Sequence, residues 1–145
     1  MTKTFTWHEA QTLLPVLESL LKHAQTTAET ASALESEMQE LAQRIFFSGG
    51  MRVDVASAAK RRAQLDKSTQ ETRDTLAEIE TIGVQIADLK DGLLAFPCKL
   101  EGAIVLLSWQ LGEESITSWL NENETIADRK PVDARFGRIE RERLN

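Results

Sequence analysis

Two adjacent carboxylates, Glu113 and Glu114, follow Gly112 directly and stand between Trp109 and Trp119. Paired carboxylates can share a proton or hold a hard cation, and two indoles can wall an apolar pocket beside them. Asp91 and Phe96 lie upstream of this pair. An enzyme built here would need Asp91, Trp109, Glu113 and Trp119 to converge on one concave pocket. The plainer reading makes the acids a solvated turn or the first turn of a helix, and the two Trp the largest pieces of a small core. His8 and His23 have no ligand partners at metal-binding spacing. Cys98 follows Phe96 and Pro97 with no base in view, so it reads as structural. No phosphate-cradling glycine loop, His-Glu-x-x-His or Gly-x-Ser-x-Gly occurs. No catalytic residue, metal or cofactor is therefore assigned.

Composition points to long regular elements. The 145 residues include only 7 Gly and 3 Pro, with 41% hydrophobic and 6% aromatic residues, so the core must be aliphatic. One cysteine excludes an internal disulfide and suits a reducing, cytoplasmic setting. No secretory signal is visible, and the longest apolar run, Ala103 to Trp109, is too short to span a bilayer. The net charge of −6 argues against general nucleic-acid binding. It is uneven, with a basic segment from Arg129 onward attached to an acidic body.

The elements follow from periodicity. Thr6 and Glu9 form a capping box, with Phe5 set to staple against Ala10. Pro15 predicts a break or kink after a short first helix. From there Leu17, Leu20, Ala24, Thr27, Ala31, Leu34, Met38, Leu41 and Ile45 recur at alternating steps of three and four, with Leu13 before them and Leu14, Leu21 and Ala28 on one flank. A second arm opens at Asp54 as N-cap and carries Val55, Ala58, Arg62, Leu65, Thr69, Thr72, Leu76 and Ile79 to a stop at Gly83. Folded back about Gly49 and Gly50, the arms form a thinly packed antiparallel hairpin.

Beyond Gly83 three short apolar segments, separated at Asp91-Gly92 and Glu101-Gly102, predict an antiparallel meander. Pro97 marks the middle segment as irregular or partly an edge. Residues 113–120 read equally as a fourth strand or a helical turn. The expected class is α+β: a long, coiled-coil-like antiparallel helical hairpin (1–83), a small three- to four-stranded meander (84–120) and a charged tail (121–145), either loosely attached or a final helix laid on a partner.

Two patches resemble a bacterial family catalogued as domain of unknown function 2203. The first is the opening, Phe5 to Leu17. The second runs from Leu89 to Leu120 and matches at Lys90, Asp91, Gly92, Leu93, Phe96, Pro97, Gly102, Trp109, Leu111, Gly112, Glu113, Ile116 and Trp119. The chain departs from the family pattern at Ala95, where Asp is usual, at Ser108, where Cys is, and at Leu120, where His is. A site made by those side chains in relatives could not exist here in that form. The resemblance implies a helical hairpin with a small sheet and no particular activity.

The hairpin tip carries the remaining signal. Phe46 and Phe47 are about 100° apart on a helix, so both cannot face one narrow seam. Met51 and Val53 extend the apolar patch. Such a patch needs cover, which points to a non-enzymatic interaction module that self-associates as a homodimer through its hairpin. A second reading is an arm docking on a transcription or translation machine, as transcript-cleavage factors with this layout do. Those factors need acids at the tip, whereas Asp54 alone is near. Lys60, Arg61 and Arg62 offer a basic cluster close by, read as a solvated face. The third is the metal-dependent or small-ligand enzyme described above.

Overall fold

The computed structural model describes residues 3–47 and 55–137. The connection expected at Gly49 and Gly50, the Asp54 cap, Met51 and Val53 lie outside them. Two long helices, α1 (Trp7–Phe47) and α2 (Val55–Ile82), precede five strands: β1 (Gln85–Asp88), β2 (Leu93–Leu100), β3 (Ala103–Gln110), β4 (Ser118–Asn121) and β5 (Lys130–Pro131). A single 3-10 turn, Ile126–Asp128, lies between the last two. The fold is α+β, with the helices packed on each other and the strands in one antiparallel sheet ordered β1-β2-β3-β4-β5.

The chain forms two compact units. One comprises Met1–Leu21 with Leu76–Asn145; the other is Lys22–Thr75. In the first, α1 starts as the sequence requires: Thr6 N–H donates to Glu9 Oε1 (2.9 Å), and Glu9 N–H donates to Thr6 Oγ1 (3.1 Å). Ala10, Leu14, Leu17 and Leu21 are buried with Ile79 of α2 and the inner residues of the sheet. Two expectations are corrected here. The helix is not broken at Pro15, which sits exposed within α1. The missing Pro15 N–H forfeits one bond to the Gln11 carbonyl, a loss offset by the buried leucines on either side. The buried stripe is also Leu14, Leu17, Leu21 rather than Leu13, Leu17, Leu20, because two overlapping stripes share Leu17 and Ala24 and the core takes the one through Leu14.

The β2–β3 hairpin turns on Glu101 (φ 51°) and Gly102 (φ 84°), the doubly positive pair of a type I′ turn that matches strand twist. Pro97 is tolerated within β2 because its nitrogen faces the edge beyond the end of β1. On that edge its carbonyl accepts a bond from Phe5 N–H (2.7 Å). The open choice for residues 113–120 resolves without a helix: residues 113–117 are irregular and 118–120 belong to β4, which pairs with β3. The expected loose tail is corrected in part: β5 pairs with β4, and Phe136 is fully buried against Trp119. Charge made that segment look detached, yet Val132 and Phe136 supply apolar anchors.

In the second unit the helices run antiparallel, since Thr27 meets Thr72 (Oγ1 to Oγ1, 2.7 Å) and Glu37 meets Arg61 (3.7 Å). Among the described residues of Lys22–Thr75, the buried ones are Ala24, Thr27 and Thr75. Leu34, Met38, Leu41, Ile45 and Leu65 are only half-buried. Arg62 does not occupy the seam as expected; it is exposed and pairs with Asp66 along its own helix.

Candidate functional site

The sheet has two faces, and alternation along each strand assigns every side chain to one. The inner face carries Leu94, Phe96, Cys98, Val105, Leu107, Trp109 and Trp119, all buried in the core. Phe96 meets Phe5 edge-on at 5.9 Å. Trp109 Nε1 donates to the Glu113 carbonyl (2.9 Å), and Trp119 Nε1 donates to the Pro131 carbonyl (3.2 Å). Lys130 Nζ lies 4.7 Å from the Trp119 ring centre. Phe96, Trp109 and Trp119 are thus core pieces, and the two indole N–H groups are engaged by backbone carbonyls.

Glu113 is half-buried and fully occupied. Its Oε1 accepts from Gln110 N–H (2.7 Å) and from Arg129 Nη2 (2.9 Å), and its Oε2 lies 3.2 Å from the same nitrogen. The pair ties the segment after the 3-10 turn to the end of β3, where Arg129 also reaches the Ser108 carbonyl (3.4 Å). Asp91 is exposed in the β1–β2 turn, its N–H bonded to Asp88 Oδ1 (3.1 Å) and its carbonyl near Gln110 Nε2 (3.4 Å). Trp109 and Glu113 do meet, through the Glu113 backbone. None of the four residues of the enzyme reading lines the hollow on the outer face of the sheet described below.

The remaining polar candidates are equally ordinary in setting. His8 and His23 are exposed on α1, and Cys98 is buried with its Sγ 3.9 Å from the Lys99 carbonyl. Among the described residues, no group of three or more His, Cys, Asp or Glu is placed to hold a metal ion. No helix among them is long and apolar enough to cross a membrane. Glu124 is held by Lys130 Nζ at 2.5 Å and by the Asn121 backbone N–H at 2.8 Å. These contacts, the lysine first, keep its carboxyl below the usual carboxylate range.

The outer face holds what the sequence did not reveal. Register places Gln85, Ala95, Ser108 and Ser118 in one row across four strands, with Leu106 and Leu120 paired in the next. Small side chains in one row beside leucines in the other leave a hollow of about 340 Å³, with Glu124, Thr125 and Ile126 at its rim. Ala95, Ser108 and Leu120, the three departures from the family pattern, all line it. Alternation around Phe96, Trp109 and Trp119 was the available signal, since each departure is the immediate neighbour of a core aromatic.

The profile of a family described as uncharacterized conserved protein, domain of unknown function 2203, matches residues 3–132. The chain belongs to that family. The match takes in the capped start of α1, both helices and the sheet as far as β5, and it ends before Phe136. No curated protein and no solved structure matches the chain. Membership in family 2203 brings no activity with it. At the ends of the helices in the second unit, Phe46 and Phe47 are 80% and 83% exposed and touch each other edge-on at 5.6 Å. Val55, the first residue of α2, is 72% exposed.

Proposed function

We propose that this member of family 2203 is a non-enzymatic interaction module that self-associates as a homodimer through its helical hairpin, in a reducing, cytoplasmic setting. The observation that carries the reading is the exposure of Phe46 and Phe47, two large aromatic rings that touch each other edge-on. Apolar side chains left in water in this way mark an interaction surface. The half-buried state of Leu34, Met38, Leu41, Ile45 and Leu65 supports it, because two helices alone leave their seam partly wet. A second copy offers the same stripe, so a two-fold arrangement buries both at once. Met51 and Val53 belong to the proposed patch by sequence.

The test is Phe46→Ser combined with Phe47→Ser, read by sedimentation equilibrium and thermal melting. Neither side chain contributes to a buried core, so the folded chain persists while the mass falls from two chains to one. A variant that keeps the wild-type mass contradicts the proposal. A wild type that is already single, with a cellular partner lost in the double variant, transfers the surface to the docking-arm reading.

A further inference from the structure

We propose that the hollow on the outer face of the sheet binds a small molecule with an apolar body and a neutral or cationic hydrogen-bonding head, seated on Ser108. Three observations carry this. The first is shape: about 340 Å³ lies at the low end of ligand-pocket volumes and is far more than a packing defect. It arises from register, because Ala95 and Ser108 are direct cross-strand partners where larger side chains would fill the face.

The second is Ser108. The residue is 3% exposed and lines the hollow. As a lining residue, Ser108 offers an occupant of the hollow one O–H donor and an acceptor oxygen. Leu93, Leu106, Leu120 and Ile126 supply apolar surface around it for the ligand's body, with Gln85 and Thr125 as the other uncharged polar side chains of the lining.

The third is charge. The lining includes Asp88 and Glu124 and no basic side chain. Glu124 is already neutralised by Lys130, and Asp88 accepts a hydrogen bond from the Asp91 N–H. A carboxylate or phosphate ligand would meet Asp88 with no lining cation to compensate, while an alcohol or amine would not be repelled. The site lies within the unit that contains the sheet and is independent of the self-association surface.

The test is a titration of the isotope-labelled full chain with benzyl alcohol, benzylamine and benzoate, followed by amide chemical shifts. Benzyl alcohol and benzylamine should give saturable shifts at Ala95, Ser108 and Leu120 below about 10 mM, with benzoate at least about tenfold weaker. Ala95→Leu fills the hollow and removes the response; Ser108→Ala weakens binding by about threefold or more. Should Ala95→Leu fail to fold, Ser108→Val serves as the second filling variant. Absence of saturable shifts at those amides, an equal response to benzoate, or an unchanged response in the filled variant overturns the proposal.

Discussion

At the residue scale, charged groups in this protein hold segments in place. Arg129 and Glu113 are only 19% and 30% exposed at their side chains, and their contact fixes the chain between β4 and β5. Arg129→Ala should lower stability by about 1–2 kcal/mol, more than an exposed pair contributes and less than a fully buried one. A urea titration should show the midpoint falling with an unchanged slope. Arg61→Ala breaks a longer, exposed pair with Glu37 and should shift the midpoint by less than about 0.5 kcal/mol. Equal losses would refute the ranking. Glu124 adds a pH dependence of known sign. Its folded carboxyl titrates below the ordinary 4.5, so its contribution is complete above that value and disappears as pH falls through the folded value. The stability difference between wild type and Glu124→Gln should therefore be flat from neutral pH down to about 4.5 and shrink below it. A difference that grows with acid would be inconsistent with the contacts seen.

At the scale of elements, the sequence was readable where one residue type has one conformational use. Thr6 with Glu9, Glu101 with Gly102, and Gly83 each announced a boundary that the structure contains. Gly83 has φ 108°, and a Cβ there would lie 3.0 Å from Lys3 Cδ and 3.3 Å from Phe5 Cζ. Gly102 also has positive φ, but a Cβ there would meet nothing within 4 Å. Gly102→Ala should thus cost about 1 kcal/mol from backbone strain alone, and Gly83→Ala should cost more. Denaturation midpoints in the reverse order would count against this account of the two turns. Pro15 misled because a local rule was outweighed by burial of Leu14 and Leu17. Pro15→Ala restores an N–H to the Gln11 carbonyl and should stabilise α1 by up to about 3 kcal/mol, measured in urea. The two stripes through α1 could not be separated by periodicity, since Leu13 and Leu14 serve either equally until a sheet lies against one.

For the whole molecule, the class and the meander of the first three strands were legible, while β5 and the features that depend on long-range register were not. Trp7 Nε1 donates to the Ile116 carbonyl, and Ile116 N–H donates to Gln11 Oε1, so one turn of α1 fixes the approach to β4. Nothing local to residues 113–120 carries that information, which is why strand and helix looked equal there. Phe136 was hidden by the charges around it, and the outer hollow exists only once Ala95, Ser108 and Leu120 are brought together by pairing. Of the residues that the sequence grouped near Glu113, Phe96, Trp109 and Trp119 alternate inward and belong to the core. Among the described residues, Phe46 and Phe47 are the most exposed of the large apolar side chains. Sedimentation equilibrium of the wild-type chain over a dilution series addresses the proposed self-association most directly. The account predicts a mass of two 16.2 kDa chains that shifts toward one on dilution. A mass of one chain at every concentration would contradict it.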